Sequence, residues 1–204
     1  LNGSWDSSQP LFIFAHGAGL GMDSPWIEMV SQALIYQDIN LLRFEFPYMA
    51  ERRKTGKKKF PDKTPLLLES WKNVYQYAQK NTSAPIFIGG KSMGGRMASL
   101  IADQLKPRGL ICLGFPFHAP YKDPQDRITH LKKIKTPTLI CQGTRDPMGN
   151  YKEVHTYDLS SQIKIHWLKD ANHDFQTTAR SMFNFQQHIE ETSNIIKGFI
   201  NSNM

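Results

Sequence analysis

The chain has little cysteine and no long apolar run. Cys112 and Cys141 are the only two cysteines among 204 residues, and their spacing is not the CxxC of a metal or redox site. Each lies inside a short apolar segment, which predicts buried thiols without a disulfide or a catalytic role. No segment approaches the roughly 18 consecutive apolar residues that a membrane helix needs, so we expect no membrane contact.

Patterns typical of metal and nucleotide binding are also missing. The sequence has no metal-ligand cluster, and the segment before Lys91-Ser92 lacks the first glycine of a GxxxxGK[ST] phosphate loop. We therefore expect no metal and no cofactor. The first ten residues contain no basic region followed by an apolar stretch, as a secretory signal would, so the expected location is the cytoplasm.

The net charge of +7 comes mostly from one segment. Between Glu51 and Lys59 there are six basic residues and one acidic residue. Because the excess is local, we interpret residues 51–59 as a solvated loop and not as a nucleic-acid-binding face. The expected partner is a small molecule, while the oligomeric state and the role of this basic loop stay open.

Six short apolar runs alternate with segments that have the spacing of amphipathic helices. The predicted strands are 11–15, 39–46, 85–89, 109–115, 138–142 and 163–168, and the predicted helices are 25–36, 66–79, 93–105 and 177–199. Strands that are apolar throughout are typical of a parallel sheet with helices on both faces. The sequence predicts a single three-layer α/β domain over residues 1–204 with a mostly parallel sheet.

The most informative motif is Gly90-Lys91-Ser92-Met93-Gly94, which follows an apolar strand and precedes a helix pattern. A Gly-x-Ser-x-Gly turn in this position holds its serine in a strained conformation and exposes the hydroxyl above the sheet. It also places the N–H of Met93 where an oxyanion would form. The pattern predicts a nucleophile elbow with Ser92 as the nucleophile.

A serine hydroxyl needs a base, and His173 is the best placed of the seven histidines. It lies in a polar loop between the last strand and the last helix, from which an imidazole can reach the elbow. Asp146 follows another strand, in a turn closed by Pro147, and completes the chain order Ser, Asp, His that accompanies such an elbow. Ser92, Asp146 and His173 are the predicted catalytic triad.

The loop after the first strand predicts the second oxyanion donor. The glycines of residues 14–19 let the backbone approach a substrate closely, and the candidate donor is the N–H of Ala18 or of Gly17. His16 is interpreted as a structural hydrogen-bonding residue of the same loop.

Candidate substrate-binding residues lie where the second strand ends, since ligands bind at the carboxyl edge of a parallel sheet. This strand delivers Tyr48, Arg52 and Arg53, and the two arginines are candidates for binding an anionic group. Glu45 is expected either to pair with one of these arginines or to lie near Ser92.

The segment after the fourth strand is expected to form the entrance to the site. Phe117, with His118 and Tyr121, is predicted to line it. Only 21 residues, 116–136, separate this strand from Pro137, which leaves no room for a separate cap domain.

Four ordered motifs carry a resemblance to a known family. They are His16-Gly-Ala-Gly with Gly21-Met-Asp-Ser-Pro-Trp, Arg43-Phe-Glu-Phe-Pro-Tyr-Met, Gly90-Lys-Ser-Met-Gly-Gly-Arg and Gly143-Thr-Arg-Asp. They resemble motifs of the KANL3/Tex30-like α/β-hydrolase family, whose members are related to dienelactone hydrolases. The resemblance runs from about Phe12 to His173 and implies the α/β-hydrolase fold and the triad positions given above. Serine replaces the cysteine of dienelactone hydrolases at the elbow, so their specialised chemistry is not carried over.

These features together predict a serine hydrolase that cleaves a small carboxylic ester or thioester through an acyl-enzyme. Two alternatives stay open. One is a non-catalytic interaction module that keeps the fold, and the other is an acyltransferase that uses the same triad with an acceptor other than water. The presence of all three triad residues favours an enzyme.

Overall fold

Strands and helices alternate along the chain, as the apolar runs predict. The structure, a computed structural model, describes residues 8–119 and 125–204. The strands are β1 (Leu11–Ala15), β2 (Asn40–Phe44), β3 (Ile86–Lys91), β4 (Gly109–Leu113), β5 (Thr138–Gly143) and β6 (Ile163–Leu168). The helices are α1 (Pro25–Tyr36), α2 (Pro47–Thr55), α3 (Thr64–Asn81), α4 (Met93–Leu105), α5 (Gln125–Ile128), α6 (Tyr151–Val154) and α7 (Phe185–Asn201), with a 3₁₀ turn over Thr129–Lys132.

The strands form a parallel sheet in the order β2-β1-β3-β4-β5-β6. The chain starts inside the sheet at β1, adds β2 on one side, and then continues from β3 on the other side. A crevice opens at such a reversal, outside the carboxyl ends of the two strands where it occurs. These are β1 and β3, which end at Ala15 and Lys91.

Helices cover both faces of this sheet. α3 and α4 pack on one face, around Trp71, and α1 and α7 pack on the other, around Ile196. The side chains of β3 alternate between these layers, since Ile88 belongs to the first and Phe87 to the second. Burial on both faces explains why the strands are apolar throughout. The predicted three-layer α/β architecture is confirmed.

Helix ends follow local capping signals. α1 and α4 have the predicted bounds, whereas α7 begins at Phe185 and not at Thr177. The side chain of Asn184 accepts the N–H of Gln187, and the side chain of Gln187 accepts the N–H of Asn184. This capping box fixes the start of the helix eight residues later than the prediction.

The basic segment predicted as a loop is partly helical, so that prediction is corrected. α2 includes residues 51–55, the first half of the segment 51–59. Pro47 stands in the first turn, where its fixed φ suits a helix. Gly56, with φ 68°, ends the helix in the left-handed conformation that glycine tolerates. The many charged residues of this segment obscure both helix signals, Pro47 and Gly56, in the sequence.

Cys112 in β4 and Cys141 in β5 are free and fully buried, as predicted. Burial raises the pKa of both thiols, which keeps them protonated.

Within residues 8–119 and 125–204, no helix is both long and apolar enough to cross a bilayer.

Candidate active site

Ser92 lies at the turn between β3 and α4, as the motif predicts. Its backbone has φ 50° and ψ −116°, a conformation that costs free energy in a residue with a side chain. The N–H of Ser92 donates to the carbonyl of Leu113, at the end of β4, at 2.9 Å. This bond anchors the strained turn to the carboxyl edge of the sheet.

Glycines let neighbouring backbone approach this turn closely. A Cβ at Gly90 would lie 2.2 Å from the carbonyl oxygen of Ala15, and a Cβ at Gly94 would lie 2.6 Å from that of His16. Side chains cannot occupy such spaces without moving β1 or α4. The packing therefore requires the small residues that define the motif.

The side chains of Ser92, His173 and Asp146 form a continuous hydrogen-bonded row. Nε2 of His173 lies 2.8 Å from Oγ of Ser92, and Nδ1 lies 2.7 Å from Oδ2 of Asp146. Because a carboxylate accepts, Nδ1–H donates to Asp146 and the lone pair of Nε2 faces the serine hydroxyl. The three residues follow β3, β6 and β5, whose carboxyl ends share one edge of the sheet.

Asp146 is fully buried and is held by two further donors. Its Oδ1 accepts the N–H of Met148 at 2.8 Å, and its Oδ2 also accepts the side-chain amide of Gln142 at 2.8 Å. Oε1 of Gln142 accepts the N–H of Phe115 at 2.7 Å, which fixes the amide in turn. These donors offset the cost of burying the carboxylate and orient it toward His173. The sequence reasoning missed Gln142, although a glutamine inside an apolar strand signals such a role.

The loop after β1 is held by His16 and Tyr48, which are both fully buried. Nδ1 of His16 donates to the carbonyl of Gly17 at 2.6 Å, and its Nε2 accepts the N–H of Phe46 at 3.1 Å. Burial lowers the pKa of His16, which favours the neutral ring that this arrangement needs. The hydroxyl of Tyr48 donates to the carbonyls of Gly17, at 3.2 Å, and Ala18, at 3.0 Å.

Two cavities meet at Ser92. The first, of about 300 Å³, includes His173 in its wall, and we call it the histidine cavity; its other lining residues include Leu20, Trp26, Ile27, Lys91 and Asp174. The second, of about 310 Å³, we call the arginine cavity; its lining residues include Leu67, Met93, Arg96, Met97, Pro116 and Arg127. Ala18, Ser92 and Met148 line both cavities. A larger groove of about 490 Å³ lies between α1 and α7 and contains none of the candidate residues.

Lys91, the last residue of β3, has a buried side chain beside the site. Its Nζ donates to the carbonyl of His173 at 2.6 Å and lies 3.1 Å from Oδ1 of Asp174. The ammonium also lies over the ring of Trp26, 5.2 Å from its centroid. Burial lowers the pKa of Lys91, while Asp174 opposes this shift. Lys91 thus ties the backbone of the histidine loop to the strand that precedes Ser92.

The two arginines expected to bind an anion are engaged within the chain. Arg53 pairs with Asp23, at 2.7 Å, and with Glu45, at 2.6 Å. Nη1 of Arg52 donates to the carbonyl of Gly19 at 2.9 Å. Neither arginine lines a cavity at Ser92; both line a separate cavity beside Gly19 and Leu20, and their expected role in binding an anion stays a prediction. The alternative in which Glu45 pairs with an arginine is the one observed.

The other candidate binding residues divide into two groups. Gly17 lines the histidine cavity, and a Cβ at this position would lie 3.6 Å from Cβ of Ser92. Tyr48 and Phe117 are fully buried and line neither cavity, so Phe117 does not form the entrance. Phe117 packs on the rings of Phe115 and Tyr157, and it is a core residue because its segment turns inward after β4.

Of the other residues expected at the entrance, the structure describes His118. His118 lies 3.4 Å from the carboxylate of Glu153 and lines neither cavity. Tyr121 lies outside the described residues. Pro116, Met148 and Arg127 take the expected places instead. Pro116 and Met148 come from separate loops and Arg127 comes from α5, so no local sequence signal links them.

Comparisons with known proteins identify the family. A profile of the alpha/beta hydrolase domain matches residues 8–201. Similar solved structures include an α/β serine hydrolase without a lid from Xanthomonas campestris (TM-score 0.68, 18% identity, 95% of this chain and 82% of that chain). Est1E from Butyrivibrio proteoclasticus, with ferulic acid bound, is also similar (TM-score 0.71, 18% identity, 95% and 89%). So is a dienelactone hydrolase from Anabaena variabilis (TM-score 0.68, 17% identity, 100% and 88%). At these identities the solved structures share the fold, and the profile match shows that the chain belongs to the α/β-hydrolase domain family.

Proposed function

We propose that this chain is a serine hydrolase that cleaves small carboxylic esters or thioesters, with Ser92, His173 and Asp146 as its catalytic triad. The observation that carries the proposal is the hydrogen-bonded row in which Nε2 of His173 lies 2.8 Å from Oγ of Ser92 and Nδ1 lies 2.7 Å from Asp146. A serine hydroxyl is a weak nucleophile until a base of this kind takes its proton.

The reaction follows from the direction of these hydrogen bonds. Oγ of Ser92 attacks the carbonyl carbon while Nε2 of His173 takes the hydroxyl proton, and Asp146 stabilises the imidazolium. The tetrahedral intermediate collapses when His173 gives the proton to the leaving alcohol or thiol. Water then attacks the acyl-enzyme with His173 as base, and the acid leaves with Ser92 restored.

The N–H groups of Met93 and Ala18 are the proposed oxyanion donors. Met93 is the first residue of α4, where backbone N–H groups lack helical partners. In a trans peptide the C=O and N–H point in opposite directions. His16 and Tyr48 both donate to the carbonyl of Gly17 and fix its direction. The N–H of Ala18 belongs to the same peptide and points the opposite way, which supports its proposed direction toward Ser92. Two such donors are worth several kcal/mol of barrier.

The size and openness of the site favour a small substrate. Each cavity has a volume of about 300 Å³, and the described residues include no inserted cap over Ser92. Among the similar structures, one is a serine hydrolase without a lid and another is Est1E with ferulic acid bound. The four sequence motifs favour membership of the KANL3/Tex30-like group. The proposal is of a compact, single-domain cytoplasmic enzyme that acts without a cofactor.

A fluorophosphonate probe tests the nucleophile directly, because it phosphonylates only an activated serine. We expect wild-type protein to be labelled and Ser92→Ala to remain unlabelled. Ser202→Ala, which removes an exposed serine hydroxyl at the end of α7, is the matched control and should label like wild type. Labelling of Ser92→Ala at the wild-type level would place the nucleophile elsewhere. A panel of esters and thioesters with increasing acyl length then defines the substrate.

A further inference from the structure

The arginine cavity holds two arginines that have no carboxylate partner among the residues that the structure describes. Arg96 lies on the first turn of α4, four residues after Ser92, and its Nε is buried without a hydrogen-bond partner. Arg127 donates only to the carbonyl of Pro116, at 3.4 Å. Arg53, by contrast, pairs with carboxylates at 2.6–2.7 Å. Within the described ranges, neither Arg96 nor Arg127 forms an ion pair.

The two guanidinium groups are held in an unfavourable environment. Burial lowers the pKa of Arg96 and of Arg127, and the charge of Arg127 lowers that of Arg96 further. Asp62 also lines this cavity, but its Oδ2 accepts the N–H of Tyr48 at 2.8 Å and it pairs with neither arginine. Two partly desolvated like charges cost free energy unless an anion joins them.

The position of His173 assigns the two cavities to the two halves of a substrate. His173 must reach the leaving-group oxygen or sulfur to protonate it, and it lines the histidine cavity only. The leaving group therefore extends into the histidine cavity. The acyl group extends the other way, into the arginine cavity, past Met93 and its proposed oxyanion donor.

We propose that Arg96 and Arg127 bind a free carboxylate at the far end of the acyl group, so that the preferred substrates are monoesters or monothioesters of short dicarboxylic acids. This inference rests on the proposed function for its orientation of the substrate. The walls formed by Leu67 and Met97 suit the methylene chain between the two carboxyl groups. A guanidinium suits the carboxylate, because its planar N–H groups match two carboxylate oxygens.

The test compares two esters that differ in the terminal group, 4-nitrophenyl hydrogen adipate and 4-nitrophenyl hexanoate. We expect wild-type kcat/KM to be about 10–100-fold higher for the adipate, the range of one or two charged hydrogen bonds. Arg96→Met and Arg127→Met should each lower this ratio at least about tenfold, and Arg96→Lys should keep part of it. Arg180→Met, at an exposed arginine, is the control and should leave kcat/KM for both esters unchanged.

A binding measurement separates failure of this subsite from failure of the hydrolase proposal. Calorimetry with the Ser92→Ala variant should give a Kd for monomethyl adipate at least about tenfold lower than the Kd for methyl hexanoate. Arg96→Met in that background should abolish the difference. If wild type hydrolyses neither ester and resists the fluorophosphonate, but this binding difference persists, only the hydrolase proposal fails. Equal kcat/KM for the two esters, or equal binding, would overturn the carboxylate subsite.

Discussion

Removal of the Tyr48 hydroxyl tests whether the loop after β1 contributes to the reaction. The substitution Tyr48→Phe keeps the ring and deletes one donor shared by the carbonyls of Gly17 and Ala18. Burial and the nearby charge of Asp62 raise the pKa of Tyr48, so the phenol keeps the proton that it donates. One buried hydrogen bond is worth about 1 kcal/mol, which corresponds to a fall in Tm of about 2–4 °C for a chain of this size.

The expected kinetic effect is smaller than the loss of a whole oxyanion donor. Removing such a donor costs about 10²–10³ in kcat. In Tyr48→Phe the Gly17 carbonyl still receives Nδ1–H from His16 at 2.6 Å, so the Gly17–Ala18 peptide keeps one of its two anchors. We therefore expect kcat for 4-nitrophenyl butyrate to fall about 3–10-fold, with KM within about twofold of wild type, since the oxyanion forms only in the transition state.

The matched control is Tyr75→Phe, which deletes the hydroxyl of a buried tyrosine on α3, remote from Ser92. It should leave kcat unchanged. A Tyr48→Phe variant with the expected loss of Tm but wild-type kcat would refute the reasoning, because Tyr48 would then support folding and not the position of the oxyanion donor.

Two further predictions concern the acid of the row and a partly buried histidine. Asp146→Asn should lower kcat about 10³–10⁴-fold with the circular dichroism spectrum unchanged, since an amide that donates to Nδ1 of His173 imposes the wrong tautomer; a loss below tenfold would argue against the triad. Burial lowers the pKa of His130 to about 4, so the unfolded chain binds more protons between that pH and about 6.5, and stability rises with pH across this window. His130→Gln should therefore reduce the loss of unfolding free energy between pH 7 and pH 5 by about 1–2 kcal/mol, after allowance for solvent screening of the partly exposed ring, as measured by urea denaturation at both pH values; an identical pH dependence of the unfolding free energy in both proteins would contradict this assignment.

The sequence predicts the frame of the molecule and the juxtaposition of Ser92, Asp146 and His173. Each residue follows an apolar strand, and parallel strands bring their carboxyl ends to one edge whatever the separation along the chain. The apolar spacing of residues 177–199 does not reveal that α7 begins only after its cap, Asn184. The many charged residues of α2 obscure the helix signals of Pro47 and Gly56. These errors are local and leave the arrangement of the strands unchanged.

The walls of the site were harder to predict, because they depend on contacts between distant segments. Arg53 reads as a free cation along the chain, yet Asp23 and Glu45 meet it in space. Phe117 reads as a surface aromatic after a strand, yet its backbone turns into the core. Arg96 carries no signal in its own motif, because its lack of a partner is a property of the surrounding cavity.

The bond between Lys91 and the carbonyl of His173 makes β3 the common support of two residues of the proposed triad. The strand ends at Lys91 and passes directly into Ser92, so its end carries the proposed nucleophile through the backbone and the backbone of His173 through one ammonium group. Because both residues are attached to β3, a movement of this strand moves them together. This shared support favours a constant distance between Nε2 of His173 and Oγ of Ser92, which is 2.8 Å in the structure.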